Sequence, residues 1–244
     1  MWIKLPENII KEINDALLSE EGKNIKFLSR GYQGATYRID LDNYTLLIKK
    51  TNVSNPSLFS PLRWLRSLID QKFIRHENKI YQLLDGIKGI PKCYGLTENS
   101  DLILEFIEGD SFRNVEQTLD NRDQFFKDLL EVILCMHKAG ISHGDLKRKD
   151  NILVSDSNQP YLIDFGTALH SQPSDTWPKS WLFNIFKQTD LNAWIKHKYA
   201  RNYDLINKND MSYYSPNATE NIVRIIRRFW RTITLRNYRK SKKQ

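Results

Sequence analysis

Two short segments of the chain carry acids and an amide at a spacing suited to phosphoryl transfer. The first is Ile141–Val154, which contains Asp145 and Asn151, and the second is Tyr161–Gly166, which contains Asp164. Each is predicted to join a loop to a short apolar strand, with Asn151 opening one strand and Asp164 closing the other. Such side chains can orient a hydroxyl group and hold Mg²⁺ through oxygen atoms. The trio therefore predicts a phosphate-handling active site.

An amphipathic helix is predicted just before the first of these loops. Apolar residues recur at helical spacing between residues 123 and 139, and Gly140 ends the pattern. This helix leads directly into the loop that carries Asp145. His143 is predicted to brace that loop by hydrogen-bonding its backbone, and His137 is predicted to lie on the helix surface.

The two segments resemble the protein-kinase-like superfamily, whose catalytic loop reads His-x-Asp-x4-Asn and whose metal loop reads Asp-Phe-Gly. By that resemblance Asp145 is the catalytic base, Lys147 touches the transferred phosphoryl group, and Asn151 and Asp164 hold the metal. The chain departs from the pattern because Asn151 follows Asp145 by six residues rather than five, and Asp150 occupies the usual asparagine position. We interpret this as a one-residue insertion, since the expected strand follows Asn151.

The N-terminal part resembles the nucleotide-binding sheet of the same superfamily. Residues 27–40 indicate a strand, a glycine turn and a strand, with Gly31 and Gly34 at the second and third glycine positions of the phosphate loop. Lys49 on the next strand matches the lysine that neutralises the α and β phosphates, whereas Lys50 points to the opposite face. From the residues alone, a plain hairpin and a surface lysine pair stay open as alternatives.

A helix is predicted over Arg75–Leu84, followed by a strand that resembles the adenine-binding hinge. The apolar positions that predict the helix are Ile80, Leu83 and Leu84. By resemblance its Glu77 pairs with Lys49, and a surface glutamate is the alternative. The backbone groups of Glu105 and Ile107 are expected to bind adenine.

The resemblance implies an α+β, bilobal protein-kinase-like fold that uses ATP and Mg²⁺. We expect a small β-rich N-lobe over residues 1–108 and a mostly helical C-lobe over residues 109–244. A chain of 244 residues with 40% apolar content is long enough to form such a core. Cys93 and Cys135 lie in apolar contexts, which predicts reduced core thiols. Without a run of 18 apolar residues or a leader, we expect a cytoplasmic location.

Two departures bear on the acceptor of the phosphoryl group. Gly144 replaces the arginine that commonly precedes the catalytic aspartate, and no Ala-Pro-Glu follows Gly166. Both favour a resemblance to compact bacterial kinases of the RIO-like and lipopolysaccharide-core types. Our first hypothesis for the acceptor is therefore a sugar hydroxyl of a bacterial surface glycolipid. A protein serine or threonine is the alternative, and an ATP-binding pseudokinase scaffold at a membrane is the second.

The net charge of +8 comes from the C-terminal end of the chain. Residues 221–244 contain nine Lys or Arg and no acid, which leaves 28 basic and 29 acidic residues elsewhere. Apolar residues recur at helical spacing from Ile222 to Ile233, and Ser215-Pro216 before them is typical of the start of a helix. This basic helix is predicted to pack on the C-lobe, and the alternative is an anionic surface, with peripheral binding to the inner membrane. Nucleic acid is the least favoured partner, because the charge is confined to the tail.

Overall fold

The computed structural model divides into two compact units. It describes residues 5–6, 9–13, 25–30, 34–41, 44–51 and 61–215. One unit comprises residues 1–120 and 150–167, and the other comprises residues 121–149 and 168–244. The lobe boundary at residue 108 stays a prediction.

The first unit is built on a five-stranded antiparallel sheet of order β1-β2-β3-β5-β4. The strands are β1 (Ile25–Arg30), β2 (Gly34–Leu41), β3 (Tyr44–Thr51), β4 (Cys93–Leu96) and β5 (Leu102–Glu105). Because side chains alternate along a strand, Leu46 and Ile48 enter a core with Leu5 and Ile13 on one face. Lys49 therefore points to the opposite face of the sheet.

Helix α1 (Pro61–Leu83) lies beside this sheet and begins well before the predicted residue 75. Its covered face carries Glu77, Ile80 and Tyr81, and Leu84 continues that face just beyond the helix end. Leu83, one of the apolar positions that predicted this helix, lies within it but is 42% exposed. Glu77 and Tyr81 are also buried on this face, although the apolar pattern did not include them.

A smaller sheet completes the first unit, with strands β6 (Gly109–Ser111), β8 (Ile152–Ser155) and β9 (Pro160–Leu162) in the order β6-β8-β9. Helix α2 (Phe112–Val115) follows β6 directly. The β8–β9 hairpin pairs Ile152 with Leu162. This pairing aligns the residues that precede β8 with those that follow β9.

The second unit is mostly helical. Its helices are α3 (Arg122–Lys138), α4 (Lys179–Lys198) and α5 (Lys208–Met211), and its strands are β7 (Ile141–Ser142) and β10 (Leu169–His170). Helices α3 and α4 pack together, and the buried Trp194 Nε1–H donates to the Phe126 carbonyl over 2.7 Å. Gly140 follows α3 with a φ of +78°, which agrees with the predicted stop signal.

Two predictions of burial or exposure for residues on α3 are wrong. His137 is buried rather than on the helix surface, and Cys135 is exposed rather than in the core. Periodicity alone does not distinguish these positions, because histidine and cysteine suit either environment. The other thiol, Cys93, is half-buried on β4.

No helix in the described ranges is long and apolar enough to cross a membrane. The basic C-terminal segment of residues 216–244, for which a helix was predicted, lies outside the described residues. Gly31 also lies outside them.

Candidate active site

Lys49 forms the centre of a charged cluster in the first unit. Its ammonium nitrogen lies 2.7 Å from Glu77 Oε2 and 3.1 Å from Asp164 Oδ1. Strand β3 supplies the lysine, helix α1 the glutamate, and the loop after β9 the aspartate. The three residues that the sequence assigned to phosphate binding and metal binding therefore meet at one place.

The cluster keeps Lys49 charged. Burial opposes the charge, but the carboxylates of Glu77 and Asp164 outweigh that effect and raise the pKa of Lys49 above its usual value. The Glu77 side chain is only 2% exposed, whereas 17% of the Lys49 side chain and 39% of the Asp164 side chain reach solvent. A phosphate group that approaches from the open side would therefore meet a permanent ammonium ion.

Lys50, the alternative phosphate lysine, lies on the other face of β3. Its ammonium group is 6.0 Å from the centre of the Tyr37 ring. Lys49 contacts Glu77 and Asp164 from its own face of the strand, so the geometry favours Lys49 for the phosphate role.

Tyr81 is a site residue that sequence reasoning missed. It lies one helical turn after Glu77 on the same face of α1, and its hydroxyl oxygen accepts the Asp164 backbone N–H over 3.3 Å. Its ring packs edge-on against Phe165, with the ring centres 4.9 Å apart. Burial is the main cause that raises the pKa of the Tyr81 phenol well above its usual value, so the phenol stays neutral.

Tyr81 thus holds a residue with an uncommon backbone. Asp164 has a φ of +66°, in the left-handed region that few residues other than glycine adopt. The turn redirects the chain after β9, so that the carboxylate reaches Lys49. The sequence signal that could have identified Tyr81 is a tyrosine four residues after Glu77 on an otherwise apolar face.

Asn151 and Asp164 lie at the same end of the β8–β9 hairpin. Asn151 ends a 3₁₀ turn of residues Lys149–Asn151, and its carbonyl accepts the Ile163 N–H over 3.1 Å. Amide and carboxylate oxygens suit Mg²⁺, which uses few protein ligands and completes its shell with water and phosphate. In the described part of the chain no cluster of three or more His, Cys, Asp or Glu could hold a metal. The fit to Mg²⁺ therefore rests on these two oxygen-bearing side chains.

Asp150 is directed elsewhere. Its carboxylate receives two hydrogen bonds from the Arg113 guanidinium, over 2.6 and 2.8 Å, and Arg113 belongs to the short helix α2. Asn151, in contrast, is buried. This arrangement supports the interpretation of a one-residue insertion, because the extra residue is taken up by the turn and Asn151 keeps the position next to β8.

The predicted hinge follows Glu105, the half-buried last residue of β5. Leu104 is buried, and the Glu105 N–H donates to the Lys92 carbonyl over 2.8 Å, so a contact from Glu105 to adenine would come from its carbonyl oxygen. Ile107 is half-buried beyond the strand. Gly34 opens β2 opposite Thr51, while the other glycine of the predicted loop, Gly31, lies outside the described residues. The roles of these residues stay predictions.

In the second unit, Asp145 and Lys147 lie half-buried in the loop after β7. As predicted, His143 braces this loop, because its Nδ1 accepts the Asp145 N–H over 3.4 Å. Gly144 has a φ of +75°. An arginine at this position would be strained, which gives a conformational reason for the glycine.

A buried carboxylate that the sequence analysis overlooked holds the same loop. Asp190 on α4 accepts the backbone N–H groups of His143 and Gly144 over 2.8 and 2.9 Å. His137 Nε2 lies 3.1 Å from the same carboxylate and donates to it. The bond to Asp190 explains why His137 is buried. Together the three bonds satisfy a carboxylate that would otherwise be costly to bury. An acid on the core face of an apolar helix is the signal that could have identified Asp190.

Comparison with known proteins shows a similarity at the level of the family. The family model described as protein kinase domain matches residues 43–189, which is more than half of the chain. The range contains all predicted site residues except the two glycines. The predicted α+β protein-kinase-like fold class is confirmed by this match.

Curated relatives show the same likeness. Mitogen-activated protein kinase spk1 of Schizosaccharomyces pombe is 30% identical over 156 residues, which cover 62% of this chain and 41% of that protein. Mitogen-activated protein kinase kinase kinase dlk-1 of Caenorhabditis elegans is 27% identical over 179 residues, which cover 71% of this chain and 17% of that protein. Serine/threonine-protein kinase cds1 of S. pombe is 33% identical over 88 residues, or 33% of this chain and 19% of that protein. The chain thus spans less than half the length of these relatives.

Proposed function

The chain belongs to the protein kinase domain family, and on that premise we propose that it transfers the γ-phosphoryl group of ATP to a hydroxyl group. The observation that carries the proposal is the position of the Lys49 ammonium group between Glu77 and Asp164. A lysine held in this way is fixed in direction and remains charged. It is therefore preorganised to neutralise phosphate oxygens.

Each site residue has a defined task in this proposal. Lys49 binds the α and β phosphates, and Asp145 orients the acceptor hydroxyl and takes its proton as the new P–O bond forms. Lys147, two residues after Asp145, stabilises negative charge on the transferred phosphoryl group. The carbonyl of Glu105 and the backbone of Ile107 bind adenine, and Gly31 and Gly34 allow the backbone to approach the phosphates.

Asn151 and Asp164 would hold Mg²⁺ through their side-chain oxygens. Bound there, Mg²⁺ supplies neutralising charge to the phosphate oxygens of the nucleotide. Asp164 already contacts Lys49, so the metal-binding acid and the phosphate-binding lysine are positioned together.

For the acceptor, we propose a serine or threonine of a protein. The support is that the relatives described above are named as serine/threonine-protein kinases or mitogen-activated protein kinases. A sugar hydroxyl of a bacterial glycolipid is the second candidate. The observation that favours it is the short stretch from Gly166 to the start of α4 at Lys179, which contains no Ala-Pro-Glu.

A nucleotide-binding scaffold without transferase activity is less well supported. Such a protein would need neither the ion pair of Lys49 with Glu77 nor an acid at position 145. Cytoplasmic location remains part of the proposal. For the basic tail of residues 216–244, packing on the C-lobe remains the first hypothesis and attachment to an anionic membrane the alternative.

The test is transfer of label from γ-labelled ATP with Mg²⁺ to two acceptors in parallel. One is a mixture of generic protein acceptors, and the other is dephosphorylated lipopolysaccharide core. Asp145→Ala serves as the blank and Lys50→Ala as the matched control, since Lys50 neighbours Lys49 on β3 but projects from the opposite face, towards Tyr37. We expect label on protein with the unmodified chain and with Lys50→Ala, and label lowered by about 10²- to 10⁴-fold with Asp145→Ala.

Each outcome separates the candidates. Label on the sugar fraction alone would replace the protein acceptor with the glycolipid. Binding of ATP without label on either acceptor, under conditions where Asp145→Ala binds equally well, would favour the scaffold.

A further inference from the structure

Helix α4 contacts the backbone of the catalytic loop at two places, one on each side of Asp145. The first contact is the Asp190 carboxylate with the N–H groups of His143 and Gly144. The second is His197, whose Nε2 lies 2.8 Å from the carbonyl oxygen of Leu146. The second contact has no part in the chemistry described so far.

The bond from His197 has a fixed direction. A carbonyl oxygen can only accept, so Nε2 must carry the proton and donate it. His197 and Leu146 are each 1% exposed, so water does not compete for this carbonyl. Loss of the donor would leave a buried acceptor unsatisfied, and the loop would have to move to find another partner.

Asp190 and His197, the two residues that contact the loop, lie on one face of the helix. His197 follows Asp190 by seven residues, which is close to two full turns, so both side chains project in nearly the same direction. The separation along the axis is about 10 Å. That spacing lets one rigid helix hold the loop before and after Asp145.

The end of α4 that carries His197 is itself anchored. The Arg122 guanidinium donates to the carbonyl oxygen of His197 over 2.6 Å and lies 4.8 Å above the Phe126 ring. Arg122 opens α3, the helix that leads into the loop. The last turn of α4 and the first turn of α3 are therefore joined, and the backbone at His197 is held in place.

We propose that His197 is a positioning residue that sets the orientation of the peptide group between Leu146 and Lys147. Lys147, the residue assigned to the transferred phosphoryl group, follows this peptide group directly, and Asp145, the residue assigned to the proton, precedes Leu146. Fixing the Leu146 carbonyl together with the N–H groups of His143 and Gly144 therefore limits movement of the loop on both sides of Asp145. The catalytic meaning rests on the proposed function, whereas the hold on the loop does not.

The test compares three variants of the whole chain. His197→Leu has a similar volume but no donor, and His197→Gln can donate from an amide nitrogen in place of Nε2. Trp194→Phe is the matched control, because it removes another buried ring N–H bond to a carbonyl on the same helix, but at Phe126 instead of the loop. For each we would measure kcat, the KM for ATP, the melting temperature, and hydrogen exchange in a peptide that covers residues 143–149.

For His197→Leu we expect kcat to fall about 10- to 100-fold with little change in the KM for ATP, because small displacements of reacting groups have effects of this size. His197→Gln should recover most of kcat, and the peptide should exchange faster in His197→Leu than in Trp194→Phe. Equal kcat in His197→Leu and Trp194→Phe, or no recovery by glutamine, would overturn the catalytic role. If the unmodified chain transfers no phosphoryl group, the proposed function fails, and exchange alone decides whether His197 holds the loop.

Discussion

The Lys49 cluster and the Asp145 loop are held in place by different means. In the cluster, the residues assigned to function contact one another through charged side chains. In the loop, the contacts from His143, Asp190 and His197 are made to the backbone. One arrangement uses the functional groups as structural elements, and the other supports them through the main chain.

The difference predicts how the two regions respond to substitution. Removing a charged member of the cluster should change both activity and stability, because the remaining charges lose their partner. Removing the Asp145 side chain should lower activity far more than stability, because the backbone contacts of the loop remain.

The largest expected effect is on turnover in Asp145→Ala. We expect kcat to fall by about 10²- to 10⁴-fold, the range for loss of a general base. The melting temperature should stay close to that of the unmodified chain, because Asp190 and His197 still hold the loop. Label transfer and thermal denaturation on the same preparation check both parts, and a large loss of stability would remove the distinction between the two regions.

Lys49→Ala should lower both activity and stability. It leaves the almost fully buried Glu77 carboxylate without its cation, and breaking a buried pair in this way costs roughly 3 kcal/mol. Urea denaturation measures the free energy of unfolding, and label transfer measures the activity.

Two variants sharpen this result. Lys50→Ala removes a neighbouring lysine outside the cluster and should change the free energy of unfolding by less than about 1 kcal/mol. Lys49→Met combined with Glu77→Leu removes both charges and should recover stability but no activity. A double variant as unstable as Lys49→Ala would show that the lost stability does not come from an unpaired carboxylate.

A smaller effect is expected from Tyr81→Phe. The ring still packs on Phe165, but the hydroxyl that accepts the Asp164 N–H is lost, at about 1 kcal/mol. Because Asp164 has a left-handed backbone, the released loop should lower the affinity for ATP with Mg²⁺ severalfold. Titration of nucleotide binding with and without Mg²⁺ checks this, and equal loss in both conditions would argue against an effect through Asp164.

The smallest effect is a change in thiol labelling, which distinguishes the two units. Burial raises the pKa of Cys93 to about 11, and its thiol lies 3.3 Å from Asn78 Oδ1 on α1. At pH 8 an alkylating reagent should therefore modify the exposed Cys135 and spare Cys93, with Cys93→Ser and Cys135→Ser as controls. Labelling of Cys93 should rise as the pH approaches 11.

The same reagent reports on the comparison. In Lys49→Ala, α1 loses the contact made by Glu77, so labelling of Cys93 should accelerate while that of Cys135 stays constant. In Asp145→Ala neither rate should change. Acceleration at both cysteines in Lys49→Ala would indicate general unfolding instead of a local effect.

Several features of the fold follow from local patterns in the sequence. Side-chain alternation along a strand shows that only one of Lys49 and Lys50 can face the site, and the resemblance to the kinase lysine strand selected Lys49. Gly140 marked the end of α3 because glycine suits a positive φ. The resemblance of the Asp-Phe-Gly segment to the kinase metal loop indicated Asp164.

The residues that local patterns missed act through tertiary contacts. Tyr81, Asp190 and His197 lie on helices far along the chain from the loops they hold, and a helical period does not reveal which polar residue faces the core. His137 was misplaced for the same reason, since its burial depends on Asp190 more than fifty residues later. Leu83 shows the converse, an apolar residue that fits the period and still faces solvent.

The turn at Asp150 affects how sequences of this kind should be aligned. On the interpretation of a one-residue insertion, Asp150 is the additional residue: it contacts Arg113 in a largely exposed ion pair, and β8 after it pairs with β9. Counting forward from Asp145 would therefore select Asp150 as the metal-binding residue, whereas counting backward from the strand selects Asn151. Sequence searches that fix the spacing between base and amide will overlook chains in which that spacing is one residue longer, so the strand is the safer reference point.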